Sequence, residues 1–369
     1  MTKSVMITQR WIMNQLEKAR AKIDSIDREL ARLYEERMKT LQDVAAYKKA
    51  HGLVVVDTSR EEAIVQKNRK FITDPAFMDS YERVLRFMIS ESCDYQRALL
   101  AKGKVGYAGI EGAFSHMVAK RLFHDHTLVA YSNFEDVFQA LVDKKIEFGV
   151  IPFENTNSGL VGEVLDALLK YPVFIEQVWD QKIEQCLLGI EGATLKDIEW
   201  VYSKDQALNQ SREFIQSLNA QPVAYPNTAL AAQYVAMQRD KTKAAIGAKE
   251  NAALYNLNIL ASRIEENSEN TTRFLVISRE RNQEGDRFAM CVTFKNEVGA
   301  LGRVIEEISR QHLNMCSIQS RPLKGHPFEY FFFIEIEGNV DQRALDAIRS
   351  VCDQTKVLGS YTMRKENNE

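Results

Sequence analysis

The sequence predicts a multidomain chain with an all-α region, an α/β region and an α+β region, in that order. Three observations carry this. Of the 17 glycines only Gly52 precedes residue 103, and of the seven prolines only Pro75 does, so the first 102 residues read as long helices broken near those two points. From Lys104 to Ser278 short apolar strands alternate with helical stretches, the pattern of parallel α/β layers. Residues 287–362 read strand, helix, strand, strand, helix, strand, a ferredoxin-like order. A polar run from Arg279 to Arg287 separates the last two regions. Boundaries are therefore expected near 103 and 285, giving segments 1–103, 104–284 and 285–369.

Composition narrows the function classes. The chain has 369 residues, is 45% hydrophobic and 27% charged, and carries a formal charge of −3. That balance argues against a general nucleic-acid binder. It also hides a partition: residues 1–103 hold 19 Lys+Arg against 15 Asp+Glu, net +4, and the remainder is net −7. No apolar run approaches the ~18 residues of a membrane helix, and no signal-peptide h-region opens the chain. Cys93, Cys186, Cys291, Cys316 and Cys352 are scattered without a C-x-x-C pair, and read as free thiols in a reducing cytoplasm. The six histidines show no metal-binding spacing, so no metal site is expected.

In the first region, Leu16, Ile23, Leu30, Arg37 and Val44 recur every seven residues, as do Ile12, Ala19, Ile26, Leu33 and Thr40. This 3.5-residue period predicts a long helix packing along another helix, most simply a second subunit's copy. Arg37 occupies a seam position. It is either a snorkelling side chain, a register device, or a guanidinium held in a core for an anion. Arg20 and Lys48 follow Leu16 and Val44 by four residues and flank the same stripe. Asp57 to Glu61 opens a second helix, where Thr58-x-x-Glu61 fits a capping box. A third helix carries the stripe Phe77, Tyr81, Leu85, Met88, Ser92 and Leu99, with Ser92 and Gln96 on or beside it. Arg20, Arg37, Lys48 and Arg60 with two hydrogen-bonding side chains would line a polyanion cavity. Lacking a nucleophile, it can orient a substrate and stabilise charge separation.

Residues 15–101 closely resemble the helical chorismate mutase domain of bifunctional P-proteins. The matching positions are Arg20 in R-A-K-I-D-S-I-D, Arg37 in E-E-R, Lys48 in A-Y-K-K, Asp57, Arg60 and Glu61 in D-x-x-R-E, and Ser92 and Gln96 in S-x-x-x-Q. The resemblance implies two subunits intertwined through the first helix, with Arg20 lent to the partner's site. It implies rearrangement of chorismate to prephenate, with Lys48 and Gln96 donating to the ether oxygen and Arg20, Arg37 and Arg60 holding the two carboxylates. Asp57, Glu61 and Ser92 would orient the hydroxyl and neighbouring side chains. Gln96 has no titratable proton, so it ties the reaction to pH less strictly than an ionisable group.

The middle region begins with a strand at Lys104–Ala108 entering a loop through Gly109 and Gly112 to Ser115 and His116, then a helix. The G-x-x-G-x-x-G spacing of Gly106, Gly109 and Gly112 differs from the dinucleotide fingerprint, so no nicotinamide cofactor is expected, but a glycine loop before a helix N-terminus suits an anion. A second strand, Glu147–Pro152, enters a loop over Phe153–Gly159 and a helix from Leu160. Asn270-Thr271-Thr272-Arg273 precedes a strand at Phe274–Ile277. Alone, each is a plausible cap or turn. Together, G-I-E-G-A-F-S, P-F-E-N-T-N-S-G and T-R-F closely resemble the hallmarks of prephenate dehydratase, with Ile110 where proline is usual. The fold implied is a pair of α/β lobes of periplasmic-binding-protein type, 104–180 with 265–280 and an inserted 181–264. The reaction implied is decarboxylating dehydration of prephenate to phenylpyruvate. Thr272 would assist the departing hydroxyl, with Asn155, Ser203 and Gln210 as polar partners. Arg273 would bind a carboxylate or form a structural ion pair.

The last region resembles the ACT domain of P-proteins, which implies L-phenylalanine as effector. Gly299, Ala300 and Leu301 match its G-A-L motif, and Gln319, Ser320, Arg321 and Pro322 its E-S-R-P motif, with Gln319 replacing glutamate and Val298 replacing proline. The whole reading is a cofactor-free bifunctional enzyme of phenylalanine biosynthesis, a homodimer or homotetramer. Two other readings stand beside it: a dehydratase with a purely dimerising helical domain, and a non-catalytic amino-acid-responsive binding protein.

Overall fold

The computed structural model describes residues 3–51, 53, 55, 57–267 and 269–365, with side chains from residue 15 onward. The expected break at Gly52 and the side chain of the seam residue Ile12 lie outside what is described. The chain divides into two compact units, the first essentially residues 1–102 and the second 103–369.

The first unit is three helices: α1 (Lys3–His51), α2 (Thr58–Arg69) and α3 (Pro75–Leu100). Helix α1 runs 49 residues without interruption, the length the heptads require. Asp57 is the N-cap of α2 and accepts from the Arg60 N–H, which corrects the capping box centred on Thr58. The carboxylate of Asp57 is acceptor-only and one residue earlier, so Thr58 becomes the first helical residue. Pro75 occupies the first turn of α3 behind the Asp74 cap, where its missing N–H is no loss. The packed face of α3 is Leu85, Ile89, Ser92, Cys93 and Gln96. Phe77 and Leu99, expected on that stripe, are exposed. So are Leu16, Ile23, Ile26, Leu30 and Leu33 along α1, at 46–57%.

The second unit begins with β1 (Lys104–Ala108), α4 (Phe114–Leu122), β2 (Thr127–Tyr131), α5 (Phe134–Val142), β3 (Phe148–Asn155), β4 (Gly159–Leu160), α6 (Gly162–Lys170) and β5 (Phe174–Lys182). An inserted lobe follows: β6 (Cys186–Gly189), β7 (Trp200–Ser203), α7 (Asp205–Gln210), α8 (Arg212–Ser217), β8 (Gln221–Ala224), α9 (Thr228–Gln238), β9 (Lys243–Gly247), α10 (Glu250–Tyr255) and β10 (Asn258–Ser262). The chain returns in β11 (Thr271–Ser278) and continues as β12 (Arg287–Thr293), α11 (Ala300–Arg310), β13 (Met315–Pro322), β14 (Tyr330–Glu337), α12 (Gln342–Arg349) and β15 (Gln354–Lys365).

The inserted lobe has its own sheet, ordered β10-β6-β9-β7-β8. The outer lobe and C-terminal segment share one sheet, β13-β14-β12-β15-β5-β11-β3-β1-β2, because β15 pairs in parallel with β5. Their core is common too: Val164, Leu165 and Leu168 of α6 join Phe331, Phe333, Leu358 and Tyr361 in one cluster. Strand β3 extends three residues into the loop expected from Phe153, since Phe153 is buried in the core and Asn155 registers against Thr272 of β11. The following helix starts at Gly162 rather than Leu160, because Gly159 and Leu160 pair back onto β3.

Candidate active sites

In the helical unit, α1 and α3 bring Arg37, Ser92 and Gln96 together. The Arg37 guanidinium donates to the Ser92 hydroxyl and to the Met88 carbonyl. Gln96 is 5% exposed and donates Nε2 to the Ser92 carbonyl at 3.1 Å, while its Oε1 has no partner. A buried orphan of this kind costs ~1–3 kcal/mol unless a donor arrives. Lys48 donates to the Val55 carbonyl at 2.7 Å. Glu61 accepts from the Cys93 thiol at 3.5 Å. Burial, then Glu61, pushes that thiol up, while Arg97 and Lys48 pull it down, so α1, α2 and α3 converge electrostatically at Cys93. Asp57 serves its own helix end, and Arg60 is exposed. Arg20 is also exposed, 17 residues before Arg37 on the same helix, or ~25 Å along the axis.

In the second unit a cleft of about 650 Å³ lies between the two lobes, lined by Gly109, Ser115, Asn155, Lys204, Gln206, Gln210, Asn270 and Thr272 among others. Asn155 organises one wall. Its Nδ2 donates to Asn270 Oδ1 (2.8 Å), to Thr272 Oγ1 (2.9 Å) and to the Thr271 carbonyl (3.2 Å). Its Oδ1 accepts from the Asn157 and Ser158 N–H groups and from Gln206 across the cleft. A hydroxyl has one proton and two lone pairs. With Asn155 donating to its oxygen, Thr272 keeps its own proton to give. Gln210 accepts from Asn270, and its buried Nε2 has no partner.

Two helices start at the cleft without a side-chain cap. The N-caps of α4 and α6, Ala113 and Val161, make no side-chain cap, and both line the cleft. Their N–H groups and dipoles favour an anion. Gly109 and Gly112 shape the approach to α4 with φ of +104° and +87°, values for which glycine is suited. The Ala113 N–H closes a turn onto Ile110, so the loop is ordered without proline. Burial lowers the His116 imidazole, and its Nδ1 accepts the Gly112 N–H at 3.2 Å. Lys204 is the one cation among the described lining residues.

Two predicted residues are not brought to the cleft. Ser203 is fully buried and donates to the Ile246 carbonyl of β9 at 2.7 Å, within the inserted lobe's sheet. Arg273 pairs with Asp180 and Glu154, each at 3.2 Å, and approaches Glu335 at 3.9 Å. Burial would lower its guanidinium, but these carboxylates outweigh that and raise it. Adjacent strand residues face opposite ways, so with Thr272 in the cleft Arg273 is the structural ion pair. Lys204, Gln206, Asn270 and Ser115 also line the cleft; the sequence signal for the first two is their place directly after the strand end at Ser203.

At the C-terminal segment, Gly299 caps α11 with φ +80°, Ala300 is buried behind it and Leu301 is half-buried. Gln319, Ser320 and Pro322 lie on β13 at the edge of the sheet. Arg321 is engaged elsewhere: its guanidinium holds Asp166 of α6 at 2.9 and 3.3 Å.

A three-helix unit that brings Arg37, Ser92 and Gln96 together, followed by a two-lobed α/β unit with a polar cleft between its lobes, is the class of chain the structure defines. Known proteins agree. The chorismate mutase type II model matches residues 19–97, and the prephenate dehydratase model matches residues 105–282. The bifunctional chorismate mutase/prephenate dehydratase of Aquifex aeolicus is 30% identical over 362 residues, covering 95% of this chain and 98% of the relative. Among solved structures, the prephenate dehydratase from Arthrobacter aurescens in complex with L-Phe has a TM-score of 0.64 at 27% identity, over 70% of this chain and 89% of that one. GqqA, described as a novel type of quorum quenching acylase, has a TM-score of 0.66 at 28% identity, over 71% and 98%. The chain belongs to the bifunctional chorismate mutase/prephenate dehydratase family. It is an enzyme with both activities, an isomerase and a carbon–oxygen lyase.

Proposed function

We propose that Thr272 is the hydrogen-bond donor to the departing C4 hydroxyl of prephenate. The observation that carries this is the 2.9 Å bond from Asn155 Nδ2 to Thr272 Oγ1, which leaves the threonine proton as the donor facing the cleft. Loss of the ring carboxylate as CO₂ and of hydroxide as water is driven by aromatisation to phenylpyruvate. Hydroxide departure therefore needs a donor more than a strong acid. The uncapped starts of α4 and α6, with Lys204 and Gln210, hold the carboxylates. The experiment is a pair of substitutions: Thr272→Val, which keeps the shape, lowers dehydratase kcat by ~10²-fold or more, and Thr272→Ser restores most of it. Equal activity in the two variants contradicts the role.

In the helical unit, Arg37, Lys48 and Gln96 act on chorismate. Gln96 turns its Nε2 from the Ser92 carbonyl to the ether oxygen as negative charge develops there. Arg20 belongs to a second subunit's site, a reading supported by its distance from Arg37 and by the exposed apolar length of α1. The C-terminal β-α-β-β-α-β segment is a ferredoxin-like ACT domain that binds L-phenylalanine through Gly299–Leu301 and Gln319–Ser320. The L-Phe complex of the Arthrobacter aurescens relative supports this. Saturable heat on titrating the full chain with L-phenylalanine tests it.

A further inference from the structure

Helix α6 is gripped at two places by the C-terminal segment. Midway, Asp166 accepts from Arg321 of β13 and pairs with Lys324 at 3.1 Å. Gly162, in the first turn of α6, leaves the space the guanidinium occupies: an added Cβ would lie 2.2 Å from Arg321 Nη1. At the other end, Lys356 of β15 donates to the carbonyls of Leu168, Leu169 and Tyr171, the unpaired acceptors that close a helix. Lys356 is largely enclosed, and burial lowers its ammonium. Val164, Leu165 and Leu168 pack into the core shared with Phe331 and Phe333. The start of the same helix, Val161 to Glu163, lines the dehydratase cleft. It is joined through β4 directly to the Asn155 loop, with the Val161 N–H on the Phe153 carbonyl at 2.7 Å.

We infer that α6 is the rigid link by which the C-terminal domain sets the substrate cleft, and that Asp166 and Lys356 are its positioning residues. A nine-residue helix held by an ion pair and a lysine cap moves as one piece. Any shift of β13 or β15 is then delivered to the helix start that faces the substrate and to the loop that orients Thr272. Neither residue touches the cleft: Asp166 lies outside its lining, and Lys356 lies at the far end of the helix. Arg321 is on this account a strut and not an effector ligand. The regulatory half of the inference rests on the proposed ACT reading; the positioning half does not.

The test uses the full chain with Asp166→Asn and, separately, Lys356→Met, with circular dichroism and the thermal unfolding transition as the control for folding of the second unit. Prephenate kinetics are measured with and without saturating L-phenylalanine, and L-phenylalanine binding by calorimetry. In both variants basal KM for prephenate rises at least ~3-fold, and L-phenylalanine binds with near-wild-type affinity. Its effect on dehydratase kcat/KM, ~5–150-fold for a typical allosteric coupling, falls below ~2-fold. Variants that keep the wild-type effect and the wild-type KM overturn the inference. So does loss of L-phenylalanine affinity in step with its effect, which would place these residues in the effector pocket. If the unmodified chain shows no saturable heat, the ACT reading fails, and the KM measurement alone decides whether α6 is a positioning link. Should Asp166→Asn lose the native unfolding transition of the second unit, Lys356→Met carries the same test.

Discussion

At the scale of single residues, the two sites solve opposite chemical problems with few groups. The rearrangement develops charge on one ether oxygen, and on the reading proposed above Lys48 is the compact cation that answers it. Lys48→Ala lowers mutase kcat by ~10²–10³ and leaves prephenate dehydration unchanged, measured by chorismate loss and by phenylpyruvate formation in the same preparation. The dehydratase cleft must hold two carboxylates while releasing one of them as CO₂, so strong fixed cations on both would oppose the reaction. A single lysine and two helix ends suit that demand. Lys204→Ala raises KM for prephenate by ~10-fold, the loss of one charged hydrogen bond, with a smaller change in kcat. A kcat effect alone would move Lys204 from binding to chemistry. Residue types at this scale were legible as motifs, but facing was not. Thr272 and Arg273 are neighbours in one motif, yet strand alternation sends the first to the cleft and the second to Asp180 and Glu154. Ser203 ends a strand whose partner carbonyl, at Ile246, lies 43 residues on, a pairing with no local signal.

Among the elements, α1 carries the clearest sequence signature, because a heptad over five repeats needs a helix of that length and a partner for its seam. Its exposed Leu16, Ile23, Ile26, Leu30 and Leu33 form an apolar stripe longer than a stable monomer tolerates. On the proposed reading the same stripe of a second copy covers it and Arg20 reaches that copy's site. This predicts complementation. Arg20→Ala and Lys48→Ala chains are each inactive as mutases, but unfolded and refolded together they regain about a quarter of wild-type activity, since half the dimers are mixed and each has one intact site. No recovery would mean that Arg20 serves its own chain or none. Other elements were read with shifted ends. β3 runs on to Asn155 because cross-strand pairing with β11, over a hundred residues away, extends it. The cap of α2 sits at Asp57, one residue before Thr58, because Asp is the stronger N-cap of the two.

For the whole molecule, the near-zero net charge averages over parts with different work. On the proposed reading the net-positive helical unit binds its dianion by side chains, and the net-negative remainder by two helix starts together with Lys204 and Gln210. The order of the regions was legible from punctuation by glycine and proline, and the helical unit ends at Lys102. The joining of β15 to β5 was not legible, since parallel pairing between strands about 180 residues apart leaves no trace in local pattern. That join makes the outer lobe and C-terminal segment one sheet, so the C-terminal segment is continuous with the scaffold of the cleft. Two independent sites in sequence on one chain is the central claim, and full-length Thr272→Val supplied with chorismate at neutral pH tests it most directly. The account predicts that chorismate disappears at the wild-type rate and prephenate accumulates in equal amount, with phenylpyruvate formation reduced by the factor seen with prephenate alone. Phenylpyruvate at the wild-type rate, or chorismate left unconsumed by a folded chain, would contradict it.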